Sequence, residues 1–130
     1  SILIKKGYQV LLETNGTKSI KDIHPDCVKI IDIKCPSSNE SGSFLPENIN
    51  HLTRHDEIKF VIGSQDDYNF AKSIIETQLK GISKKKIHLS PVSGQISYKN
   101  VAAWMIEDNL GARFSLQQHK IIWNPETRGV

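Results

Sequence analysis

At 130 residues the chain is long enough for one domain with a core of its own. Its 38% hydrophobic and 24% charged residues are ordinary for a globular protein and exclude a low-complexity or fibrous chain. A net charge of +3, with Lys84-Lys85-Lys86 as the one basic run, is too mild to make nucleic acid the expected partner, and no apolar run is long enough to cross a bilayer.

Taken in order, the chain opens on Ile2-Leu3-Ile4-Lys5-Lys6-Gly7, which reads as the tail of an amphipathic helix stopped at Gly7. That start suggests a fragment whose upstream part is missing. Tyr8 to Glu13 reads as a strand, closed by the turn Thr14-Asn15-Gly16-Thr17. Lys18 to Ile23 is a short helical or irregular crossover ended by Pro25. Val28 to Lys34 is a second strand. In it Ile31 and Ile33 face one side while Asp32 and Lys34 face the other, before Pro36 breaks it. Parallel strands are usually apolar on both faces, so two opposite charges at a strand's carboxyl end suit a ligand edge or a solvated ion pair. Pro36 to Asn50 is a long polar loop, functional or mobile by its length.

Glu57 to Gly63 is the clearest strand. A helix follows, with Asp66 as its expected N-cap and Gly81 as its stop, and with Tyr68, Ala71, Ile74, Ile75 and Leu79 at helical spacing. Lys84-Lys85-Lys86 reads as a solvated turn before a fourth strand, Lys86 to Val92. Val101 to Leu110 is the next helix, with Val101, Ala102, Met105, Ile106 and Leu110 on its core side and Gly111 as cap. Phe114 to Gln118 is a fifth strand, and Ile121-Ile122-Trp123 extends or follows it. Strands alternating with helices predict an α/β fold of parallel βαβ units, in one unit spanning residues 1–130.

The strand carboxyl ends then share one polar rim, formed by Glu13-Thr14-Asn15-Gly16, Asp32 to Ser37, Gly63-Ser64, Ser90-Pro91-Val92 and Gln118-His119-Lys120. Dinucleotide, P-loop, zincin and nucleophile-elbow signatures are absent. Cys27 and Cys35 fit no zinc or redox spacing and point to a reducing cytoplasm, with Cys27 packed at a strand start and Cys35 an unlikely nucleophile. His24, His51 and His55 are expected in solvated loops, and His88 as a satisfied strand histidine. Trp104 is expected in the core. His119, just past a strand, is the histidine best placed to touch a ligand.

Glu13-Thr14-Asn15-Gly16-Thr17, Asp32-x-Lys34-Cys35-Pro36-Ser37, the strand from Asp56 to Ile62, Gln118-His119-Lys120 and the end at Arg128-Gly129-Val130 occur in an order that resembles the 7-carboxy-7-deazaguanine synthase family of radical S-adenosylmethionine enzymes. The resemblance implies the carboxyl-terminal part of a modified, partial (β/α) barrel of radical S-adenosylmethionine type, in a homodimeric enzyme. It implies a [4Fe–4S] cluster, S-adenosylmethionine and Mg²⁺. The implied reaction converts 6-carboxy-5,6,7,8-tetrahydropterin to 7-carboxy-7-deazaguanine, with an electron donor such as flavodoxin or ferredoxin, in queuosine and 7-deazapurine biosynthesis.

By the same resemblance, Glu13, Asn15, Lys34, Cys35, Pro36, Ser37, Ser90, Pro91 and Val92 contact S-adenosylmethionine, and His119 and Val130 contact the pterin. The chain departs from the family in lacking the three spaced cysteines and the Gly-Gly-Glu segment. Alone it is therefore expected to bind no cluster and to turn nothing over. Two other readings remain open: a non-catalytic small-molecule or nucleotide-binding module, and a fragment of a glycyl-radical activating enzyme.

Overall fold

The computed structural model describes residues 11–16, 18–23, 27–38 and 46–116. Five strands, β1 (Leu11–Thr14), β2 (Val28–Ile33), β3 (Glu57–Ile62), β4 (Ile87–Pro91) and β5 (Arg113–Phe114), form one sheet in the order β1-β2-β3-β4-β5. Every neighbouring pair is parallel. The α/β class and the parallel sheet are as the alternation of strand and helix patterns predicts. Because spatial order equals chain order, each crossover steps the same way across the sheet. Right-handed crossovers then fall on one face, so the sheet is singly wound, whereas a doubly wound sheet reverses direction at a switch point.

The packing follows that winding. Along β2 and β3 burial alternates strictly: Ile31, Ile33, Ile58, Phe60 and Ile62 are fully covered, and their neighbours are half-buried. The covered side chains join Ile87 and Leu89 of β4, and against them pack both helices, α1 (Gln65–Thr77) and α2 (Tyr98–Glu107). Tyr68, Ala71 and Ile75 from the first, Leu79 just past its end, and Val101 and Met105 from the second complete one core, to which Trp104 adds from its margin. Tyr68 ties the helices together: its ring lies 5.2 Å from that of Trp104, and its hydroxyl donates to Asp108 Oδ2 at 2.6 Å. Lys72 Nζ stands 3.3 Å from the other oxygen of Asp108.

Several boundaries differ from those expected. Ser64, not Asp66, caps α1, with its side chain accepting from Asp67 N–H, because Ser64 takes the extended backbone an N-cap needs and Asp66 is already inside the first turn. The helix ends at Thr77, ahead of Gly81, and Leu79 N–H then turns back to Ile74 O. Helix α2 starts at Tyr98 under a Ser97 cap, three residues earlier than its apolar stripe suggests, because the cap serine sets the start. Ile106, expected in the core, is 79% exposed, since one turn of contact with the sheet is filled by Val101 and Met105. Strand β5 is confined to Arg113–Phe114, and the long polar loop holds two 3₁₀ turns, Pro36–Ser38 and Pro46–His51. Lys84–Lys86 is a third 3₁₀ turn, largely exposed as expected. The helix tail before Gly7, the start of the first strand, His24 and Ile121 to Trp123 lie outside the described residues.

Two buried polar side chains hold loops, Asp56 at the amino ends of β2 and β3 and Asn48 in the connection beyond the carboxyl end of β1. Asp56 accepts from Lys29 N–H at 2.8 Å and from Thr53 N–H at 2.7 Å, and its Oδ2 lies 3.1 Å from Lys29 Nζ. Asn48 accepts from Ile20 N–H and donates to the carbonyls of Gly16 and Lys18. It thereby serves backbone groups that an apolar residue would strand.

Candidate functional site

The second face of the sheet has a different chemistry. Strand register places Asp32 beside Lys59, Lys59 beside His88 and His88 beside Arg113, so charged and polar side chains run across four strands on one face. Glu13 sits level with Ile30 on the same face, one step nearer the amino ends than the Asp32 row. These residues are half-buried or exposed, whereas in β2, β3 and β4 the strand neighbours of Asp32, Lys59 and His88 on the core side are covered. Lys34 Nζ donates weakly to Asp32 Oδ2 at 3.5 Å, and Asp32 Oδ1, although covered, has no hydrogen-bond partner. A covered carboxylate oxygen without a donor is a place where a ligand N–H or O–H is worth having. His88 Nε2 is covered too and lies 3.4 Å from Glu57 Oε1 without hydrogen-bond geometry, so it is less fully satisfied than the strand pattern suggests.

Two cavities open at the carboxyl ends of the strands and share Asp32 and Lys34 as a common wall. One, of about 220 Å³, is lined by Glu13, Thr14, Asn15, Ile30 and Lys59 besides that pair. The other, of about 180 Å³, runs from Lys34, Cys35, Ser37 and Ser38 to Val61, Gly63, Asp67, Val92 and Gln95.

The turn at the end of β2 is built by its own hydrogen bonds. Ser38 N–H and Ser38 Oγ both donate to Cys35 O, at 3.0 and 2.7 Å. Pro36 starts this 3₁₀ turn and lies exposed on it. Asp67, from the first turn of α1, then fixes the turn to its neighbour. Its Oδ1 accepts from Ser37 N–H at 2.9 Å and its Oδ2 from Gly63 N–H at 2.7 Å. A Cβ on Gly63 would stand 2.7 Å from Gln95 Oε1, the free end of an exposed side chain, and 3.4 Å from Asp67 Oδ2. In the first strand-end turn Gly16 takes a φ of +70°, a left-handed conformation glycine adopts without strain, and donates to Thr14 Oγ1.

The residues expected at the rim are thus drawn together in part. Glu13 and Asn15 line one cavity, Lys34 lines both, and Cys35, Ser37 and Val92 line the other. Ser90 and Pro91 are buried beneath it. Cys35 points its thiol into the core and lies 3.8 Å from Ile33 O, so its contribution to the rim is its backbone. Burial pushes that thiol up to about 12, with the carboxylates of Asp67 and Asp32 adding and Lys34 opposing, so it is no nucleophile at neutral pH. Cys27 is buried at the start of β2, as expected. His119 and Val130 lie outside the described residues.

Sequence reasoning put Asp32 on the rim but assigned it no contact, and it left Lys59, Asp67 and Gln95 off the site. Period-2 alternation puts Asp32 and Lys59 on the same face as Lys34 once the strand register is known. The Ser64-x-x-Asp67 spacing is a capping-box signature that marks where α1 begins.

No group of three histidine, cysteine or acidic side chains among the described residues is placed to hold a metal ion. Cys27 and Cys35 sit before and after β2, both buried, and cannot supply a cluster's three thiolates. No helix among the described residues is long and apolar enough to cross a membrane.

No family model matches the chain. Among curated proteins, the 7-carboxy-7-deazaguanine synthase of Koribacter versatilis is 42% identical over 98% of this chain and 62% of its own length. That of Chlorobaculum tepidum is 42% identical over 100% of the chain and 60% of its own length, and that of Methanospirillum hungatei 37% identical over 95% and 50%. The chain therefore spans about half to three-fifths of the length of the curated relatives it matches. Over nearly its whole length the chain is thus similar to the carboxyl-terminal portion of curated proteins named 7-carboxy-7-deazaguanine synthase.

Proposed function

We propose that this chain is the carboxyl-terminal part of a radical S-adenosylmethionine lyase that converts 6-carboxy-5,6,7,8-tetrahydropterin to 7-carboxy-7-deazaguanine. The observation that carries the reading is the match of nearly the whole chain to synthases of that name. The singly wound sheet supports it, since winding one way is how a (β/α) barrel or part of one is made, with the site at the strands' carboxyl ends.

S-adenosylmethionine fits the two adjoining cavities chemically. Its ammonium and sulfonium charges suit Glu13 and Asp32, whose Oδ1 lacks a donor, and its polar edges suit the backbone of Cys35 to Ser37. When bound, it supplies the organic radical that the reaction needs. The chain's own share is orientation: Lys34 and Asp32 hold each other at the wall between the cavities, and the turn from Cys35 to Ser38 presents fixed backbone groups.

The described residues do not fit a [4Fe–4S] cluster, so this reading leaves its ligands, and those of Mg²⁺, outside them. By the resemblance, His119 and Val130 are assigned to the pterin. The enzyme is read as a homodimer that takes electrons from a flavodoxin or ferredoxin. Free cysteines suit a reducing cytoplasm.

The test uses the complete protein that contains this chain, reconstituted anaerobically with iron and sulfide. With reductant, S-adenosylmethionine and the tetrahydropterin, 7-carboxy-7-deazaguanine is expected. A fully reconstituted protein that leaves the pterin unchanged would overturn the reading.

A further inference from the structure

We propose that Asp67 is a positioning residue for S-adenosylmethionine: its two carboxylate oxygens lock the turns after β2 and β3 at one spacing and so set the mouth of the cavity between them. The proposal rests on the function proposed above. An aspartate in the first turn of a helix ordinarily serves the helix alone, by reaching back to the N-cap. Asp67 does something else. It is 1% exposed, and each of its oxygens takes a different loop, Ser37 N–H at 2.9 Å and Gly63 N–H at 2.7 Å. Ser37 and Asp67 are 30 residues apart in sequence.

A second link runs parallel to the first, between Ser37 Oγ and Ser64 Oγ at 3.2 Å. The seam so closed is the wall of the 180 Å³ cavity, which Ser37, Gly63 and Asp67 line together with Lys34, Val92 and Gln95. Moving the turn after β2 moves the backbone of Cys35 to Ser37, which is assigned to the cofactor, and the turn after β3 is its anchor.

Asp67→Asn is the sharp variant. An asparagine has one acceptor oxygen, so its amide N–H₂ would face a backbone N–H and one of the two turns would be released. Direct binding to the complete, reconstituted protein is measured anaerobically by dialysis, separately for S-adenosylmethionine and for the pterin. The Kd for S-adenosylmethionine should rise about tenfold, the loss expected for a buried hydrogen bond to a charged group. The Kd for the pterin should change less than about twofold, and Asp67→Glu, which keeps both acceptors, should recover part of the loss.

Unchanged S-adenosylmethionine binding in Asp67→Asn, or equal losses for both ligands, overturns the proposal. If the variant does not fold, amide exchange in the wild type decides: saturating S-adenosylmethionine should slow Ser37 and Gly63 by a similar factor, and an unaffected Ser37 amide overturns it. A wild-type protein that binds no S-adenosylmethionine overturns the proposed function, and this inference with it.

Discussion

Two lysine–aspartate pairs sit on β2 and its end, and they have opposite characters. Lys29 and Asp56 are 1% and 0% exposed, 3.1 Å apart, and every oxygen of the aspartate is engaged. Lys34 and Asp32 are 31% and 24% exposed and 3.5 Å apart, and one oxygen of the aspartate has no partner. The first pair lies toward the strand's amino end and the core side. The second lies at the carboxyl end on the polar face. The same two residue types thus serve closure in one place and leave a valence open in the other. A pair that is complete in itself is structural, whereas a pair left incomplete is prepared for something else to finish it.

The comparison can be broken most forcefully at Asp56. Asp56→Ala leaves the Lys29 ammonium buried with only Cys27 O at 3.3 Å, and should cost about 3–5 kcal/mol in urea denaturation. Adding Lys29→Met should recover part of that loss, because the uncompensated charge is gone while the N–H groups of Lys29 and Thr53 still lack their acceptor. A loss under about 1 kcal/mol in the single variant would show the two pairs to be alike.

Next in size is Asn48→Ala, expected to cost about 2–3 kcal/mol because it strands Ile20 N–H and two carbonyls in the connection that leaves β1. The third test is pH dependence. The Cys35 thiol is raised from 9.0 to about 12, so it favours the folded state below pH 9 and that contribution is lost as pH rises from 9 toward 12. Chemical denaturation across that window should show stability falling, and Cys35→Ala should flatten the slope. The smallest effect on stability is expected at Asp32→Asn, under about 1 kcal/mol for a half-open pair. Its larger effect should be on binding of S-adenosylmethionine, which separates the open pair from the closed one.

How much of this was legible in the sequence depends on the range of the interaction. Ile31 and Ile33 against Asp32 and Lys34 could be assigned to opposite faces because alternation is a property of neighbours. The helical stripe from Tyr68 to Leu79 was readable for the same reason. Ile106 was not, because whether a flanking apolar residue is covered depends on how much sheet lies beneath it, and here Phe114, which lines the same surface cleft, is itself 37% exposed. Helix starts were misplaced because Asp66 and Ser64 are both good caps, and only backbone geometry chooses between them. Asp67 was invisible as a clamp, since nothing in one sequence says that its carboxylate meets an amide 30 residues upstream.

The order of the strands also bears on how the molecule comes into being. Each strand pairs only with those adjacent to it in the chain, so no pairing in the sheet has to wait for a segment more than about thirty residues away. The entropy of closing each loop is therefore met in small instalments, and a newly added strand always finds a finished edge to build on. Such a chain can assemble in the direction of synthesis, one strand and crossover at a time as it emerges from the ribosome. The closed lysine–aspartate pair would lock the second and third strands together early, while the open pair gains its missing partner only after the fold is complete.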